Sequence, residues 1–186
     1  MAGMNAANVI IPGRGAIFTA APLTDAPAYK SMTPDMPGTG WTSLGHTSKD
    51  NAVALSKDGG DVTQFDSWWT AAIAVIYGAN SWKINVNALQ IDAGVLDLAF
   101  NGTVDTDGGY IVPAAVEAVD KALFVLAIQG DKRMGLYLPK VSITLGDAPS
   151  FDPTKLFEIP LTAAVLADEN TLMKWYHPGL EAAVTP

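Results

Sequence analysis

The stretch "SWKINVNALQIDAGVLDLAF" (81–100) changes its hydrophobic period partway along, and that change decides the fold class. Over 81–88, Trp82, Ile84, Val86 and Ala88 fall on one face, while Ser81, Lys83, Asn85 and Asn87 fall on the other. A two-residue period of this kind marks a half-buried strand. Further on, Ile91, Val95 and Leu98 follow i, i+4, i+7 spacing, with Leu89, Leu96 and Ala99 widening the stripe. This predicts the one convincing helix of the chain over 87–100, capped by Asn87 and ended by Asn101 and Gly102. Gly94 weakens that helix by about 1 kcal/mol relative to Ala.

Working outward, alternation recurs. "KVSITLG" (140–146) turns Val141, Ile143 and Leu145 inward, and "LFEIPLTAAVL" (156–166) does the same with Phe157, Ile159, Leu161, Ala163 and Val165. Pro160 cannot donate to a ladder, so this strand is expected at an edge or bulged. "ALFVLAI" (122–128) is apolar on both faces, as befits the middle of a layered structure. Turn residues suggest three hairpins: "QGDKRMG" (129–135), "SKDGGD" (56–61) and "YGANS" (77–81). A weaker helical turn is expected within 168–177. Residues 1–14, 20–40 and 177–186 show little periodicity and many prolines and glycines. The pattern is one mainly β (α+β) domain over 1–186, with one packed helix, an N-terminal arm (1–14) and a C-terminal arm (177–186).

Composition narrows the function. The 186 residues suffice for one sizeable core, and 49% are hydrophobic against 16% charged, which suits a folded chain. No apolar run approaches the roughly 20 residues of a membrane-spanning helix, and the first residues show no secretion signal, so no membrane partner is expected. With no cysteine, disulfides and thiol chemistry are excluded. A net charge of -8 repels nucleic acid and argues against a protein that grips DNA.

The candidate sites are thin. His46, Ser48 and Asp50 lie within five residues, the types a hydrolase uses, but a triad needs convergence in space and an oxyanion hole. A polar strand end and turn is the reading adopted, with no catalytic residue. "VDTDGGY" (104–110) has the start of a calcium loop without its later ligands, so a plain turn is expected and no metal. "PGRG" (12–15) is too short for a phosphate loop, and no cofactor is expected. Of Trp68 and Trp69, adjacent in an expected strand, one is assigned to the core and one to an exposed face.

The order of these signals resembles the major tail (tail tube) proteins of long, non-contractile-tailed bacteriophages, particularly those of actinobacterial hosts. The likeness is carried by "GAIFTAAPLTDAP", "GWTSLGHTSKDNAVALSKDGGD", "QFDSWW", "KINVNALQIDAGVLDLAFNG" and "FDPTKLFEIPLTAAVLADENTLMKWY". The resemblance implies a β-sandwich or half-barrel flanked by one helix, without the C-terminal immunoglobulin-like domain some relatives carry. It also implies hexameric rings stacked into a tube through which genomic DNA passes without specific binding. Expected partners are further copies of the chain, a tape-measure protein, and tail terminator and distal tail proteins. The expected location is the virion tail, after assembly in the host cytoplasm.

In this reading residues 46–66 form a long stacking loop. His46, Ser48, Lys49, Asp50, Lys57, Asp58 and Asp61 are then contacts between rings, and Val9, Ile10 and Ile11 of the arm contact neighbouring subunits. Excising 56–61 is expected to leave a folded chain that fails to polymerise. The rivals are a monomeric β-barrel binding a ligand between Trp68, Trp69 and Trp82, and another ring-forming virion protein such as a terminator or head-decoration protein.

Overall fold

The computed structural model describes residues 4–169 and 171–181. Asn170 and the arm residues 1–3 and 182–186 lie outside the described residues. The chain begins with a 3-10 turn (Ala6–Asn8), then β1 (Arg14–Ala20), β2 (Thr42–Ser43), β3 (Ala54–Gly59), β4 (Val62–Phe65), β5 (Ala74–Tyr77) and β6 (Asn80–Ala88). Helix α1 (Ala93–Phe100) leads to β7 (Thr103–Val104), β8 (Tyr110–Ile111), β9 (Val119–Gln129), β10 (Lys132–Leu145), β11 (Ile159–Leu166), β12 (Lys174–Tyr176) and a short α2 (Pro178–Glu181).

The main sheet is antiparallel, in the order β2-β1-β9-β10-β11-β6-β3, with β12 added alongside β10. It curls, and residues 42–48 link its two ends. Leu44 donates its N–H to Ile17 on β1 at 2.8 Å, while Ser48 donates to Asn87 and Leu89 to His46 at the end of β6, both at 2.8 Å. The long β9–β10 hairpin turns at Gly130, whose φ of 56° is the positive value a first turn position demands. The register slips by one residue between Leu138 and Val141, a bulge that accommodates Pro139. Among the described residues no helix is long and apolar enough to cross a membrane.

β9 has a buried layer on each face, as its unbroken apolar run requires. On one side Leu123 joins Ile17, Ile84, Val86, Leu138 and Ile143. α1 covers this layer with Val95, Leu98 and Ala99. On the other side Phe124 and Leu126 meet Phe18, Met32, Trp41 and Tyr137. The proline-rich connection 21–41 roofs this second layer. It is pinned by Tyr137 Oη donating to the Thr24 carbonyl at 2.7 Å, Trp41 Nε1 donating to Asp25 at 3.2 Å, and Arg133 donating to the Met32 carbonyl.

Several local expectations are corrected. The helix starts at Ala93, not at 87, because Ala88 is still laddered to Ile159. Asp92 is its cap, accepting from Val95 N at 2.9 Å, and Ile91 lies exposed outside the stripe. Asn101 ends it in the left-handed conformation, φ 49° and ψ 50°. β11 lies inside the sheet between β10 and β6 rather than at an edge. Pro160 is only its second residue, where the loss of one donor is tolerated. The segment 168–177 contains β12 instead of a helical turn, since its Leu136 and Tyr137 partners on β10 would otherwise lack a neighbour on that edge.

The glycine-rich stretches 56–61 and 77–81 are not hairpin turns. β3 pairs with β6 and β4 with β5 in one continuous register, running from Ala54 opposite Asn85 to Phe65 opposite Ala74. The two stretches face each other midway along this ribbon. They are tied by Gly60 N–H to Ala79 O at 3.1 Å and Gly78 N–H to Asp61 O at 2.8 Å. Gly59 and Gly60 take φ of 79° and 82°, which breaks the pleat without ending the pairing. The segment 46–66, expected as a loop, is therefore partly strand.

Candidate interaction surface

The ribbon is the main feature that departs from a closed body. Every residue from 61 to 81 is exposed. The span between the Gly59 and Phe65 rungs is about 20 Å at about 3.4 Å per residue, so the tip stands well clear of the sheet. At the tip, Asp66 Oδ1 accepts from Ala72 N at 2.6 Å and from Gln64 Nε2 at 3.2 Å. Ser67 Oγ accepts from Trp69 N at 3.2 Å and Thr70 N at 2.9 Å. These bonds fix a loop that holds both indoles outward: Trp68 is 100% exposed and Trp69 96%. The division of that pair between core and surface is thus overturned, because the two residues sit in a turn rather than a strand. Phe65, Ile73 and Ile76 extend the apolar surface down the ribbon.

At the ribbon's base the sheet leaves a seam. Among the described residues, β1 pairs with β9 along its length but meets β2 only at Phe18 and Thr19, and the outer edge of β3 has no strand beside it. Between these margins lies a groove of about 550 Å³. Its walls include Ala16, Ile17, Val53, Leu55, Leu136 and Trp175, and among the described residues its charged lining is Arg14 and Lys49.

The residues singled out from sequence fall into separate groups. His46 and Ser48 sit on the linking segment with Lys49 and Asp50 just after it, and Ser48 is buried and accepts from Asn51 N at 3.1 Å. No hydrogen bond joins His46 to Ser48 among the described residues. Ser48 and Lys49 line the groove. Lys57, Asp58 and Asp61 lie on the ribbon. Lys57 faces Trp82 on β6, some seven residues and roughly 23 Å from Leu89, the partner of His46. The arm residues Val9, Ile10 and Ile11 run beside the β9–β10 turn. Ile11 donates its N–H to Gln129 at 2.7 Å, and Lys132 Nζ donates to the Ala6 and Val9 carbonyls at 3.4 and 3.0 Å, while the side chains of Val9 and Ile11 stay exposed.

Other candidates resolve into local structure. Asp105 and Asp107 accept from Thr106 N at 2.6 Å and Gly109 N at 2.8 Å, so both carboxylates shape the β7–β8 turn. Trp82 lies at the foot of the ribbon against the first core layer, so Trp68, Trp69 and Trp82 form no common pocket. Sequence reasoning missed the ribbon tip as a surface. Its signal was the adjacent tryptophans followed by "TAAIAVIY", an apolar run with no charge to mark a solvent face.

The chain is 27% identical over 144 residues to the major tail protein Gp23 of Mycobacterium phage D29, covering 76% of this chain and 73% of that protein. Gp23 of Mycobacterium phage L5 matches with the same identity and coverage. Mycobacterial hosts agree with the actinobacterial resemblance. The sequence profile of the family described as phage tail tube protein matches residues 2–186. The curled antiparallel sheet and its outstretched, apolar-tipped ribbon are thus the architecture of a chain that belongs to the phage tail tube protein family.

Proposed function

We propose that copies of this chain close into hexameric rings, that the rings stack into the tube of a long non-contractile tail, and that genomic DNA leaves for the host through that tube. The observation carrying this reading is the margin of β3, unpaired among the described residues, together with the exposed ribbon that continues it. An exposed edge invites pairing with another chain. Closed symmetry uses that tendency without runaway growth, because strands of successive subunits can complete one barrel.

Residues 46–66 carry the contact between rings in this reading, with His46, Ser48, Lys49 and Asp50 at the seam and Lys57, Asp58 and Asp61 on the ribbon. Val9, Ile10 and Ile11 pack on a neighbouring subunit, contributing about 25 cal/mol per Å² removed from water. The net charge of -8 suits a bore that DNA must cross without adhering. The repulsion decays within about 8 Å at physiological salt, the useful range in a narrow passage. The chain acts as structure rather than as an enzyme, and its further partners are the tape-measure, terminator and distal tail proteins.

Negative-stain microscopy of concentrated protein, with sedimentation, tests the reading. Rings and tubes are expected. A monomer at every concentration overturns it, and a tube map with a basic bore overturns the electrostatic part.

A further inference from the structure

We propose that Trp68 and Trp69 at the ribbon tip of one copy seat in the groove between β1 and β3 of a second copy. The proposal rests on the tube reading and names the contact that would join its subunits. Four observations point to this occupant. The tip is held in shape by Asp66 and Ser67 before anything binds, so two rigid aromatic anchors are displayed with little ordering left to lose. The groove, at about 550 Å³, lies within the roughly 300–1,000 Å³ range that takes a ligand of a few rings, and its walls are mostly apolar.

The charges match as well. Between positions 58 and 82 the chain carries Asp58, Asp61 and Asp66 and no Lys, Arg or His. Among the described residues the groove carries Arg14 and Lys49 and no acid. A tip of one sign meeting a pocket of the other favours this partner over a nucleic acid, whose phosphates would be repelled by the ribbon. Last, the groove lies at the foot of the ribbon and not at its tip, with Leu55 and Ile84 in its lining. Tip and groove are therefore at opposite ends of one arm, a head-to-tail arrangement that propagates from copy to copy.

The test uses the full-length chain in two variants. Trp68→Ala/Trp69→Ala removes the tip anchors from fully exposed positions, so the body should fold as before. Ala52→Trp fills the groove from its exposed rim. Buried aromatic anchors dominate interfaces, so the Trp variant should raise the concentration at which association begins by about thirtyfold or more. Each variant alone should stop short of stacked assemblies. When one is labelled and the two are mixed, each should co-sediment with the other, because an intact tip then meets an intact groove.

Tubes formed by the Trp variant at the parent's concentration overturn the docking and leave the tube reading standing. So does a mixture whose members ignore each other. A parent chain that never associates overturns the tube reading itself.

Discussion

Gly135 and Phe124 meet so closely on adjacent strands that a Cβ at 135 would enter the phenyl ring. Phe124 is fully buried and packs edge-on against Trp41, with centroids 6.1 Å apart. Gly135→Ala should therefore cost about 1–3 kcal/mol, the range for overpacking a core, read as a lower urea midpoint with unchanged slope. Beside them, burial holds the Tyr137 phenol above its ordinary value of 10.0, with the charges of Asp25, Tyr176 and Asp168 adding to the effect. The folded chain thus keeps this proton to higher pH than the unfolded chain does. The associated stability is whole below about pH 10 and is lost as pH climbs through the raised value. Tyr137→Phe should flatten that alkaline decline and, by losing the bond to Thr24, cost about 1 kcal/mol at neutral pH. These contacts lie in the second core layer, and the sequence showed only half of the layer. The two-sided apolarity of 122–128 called for a cover on both faces, but the proline-rich 21–41 that supplies one carries no period to say so.

At the scale of the element, the ribbon separates from the body along a line the structure draws. Excising 61–78 leaves Gly60 and Ala79 as a two-residue turn between the Gly59 and Asn80 rungs, a connection that hairpins favour. The shortened chain should keep the parent's circular dichroism and melting behaviour, yet form no tubes under the microscope. The narrower excision of 56–61 would be a poorer test, since 56–59 belong to β3 and their removal would also damage the main sheet. The half-buried strands were legible because burial of one face writes alternation into the sequence: Ile84, Val86 and Ala88 are buried where Lys83 and Asn85 are exposed. β4 and β5 are exposed on both faces, so no face had to be apolar and no period resulted. Gly59, Gly60 and Gly78, just outside them, then resembled turns. The helix was found but begun too early, because strand and helix share the apolar positions around Ala88.

For the whole molecule, the two core layers share β1, β9 and β10, so neither can melt while the other stays packed. Unfolding in urea should be one cooperative transition, with near- and far-ultraviolet circular dichroism coincident. A separate early step in the near-ultraviolet signal would show the 21–41 roof detaching by itself. The legs of the ribbon stay in step across their glycines, and this has a consequence for any assembly that uses the tip. A residue taken from one leg alone would turn over every side chain beyond it, so the arm can change length only by matched rungs. Each rung is worth about 3.4 Å. The arm is thus a gauge with fixed graduations, and the reach at which one copy can hold the next is set by how many rungs stand between the glycines and the indoles.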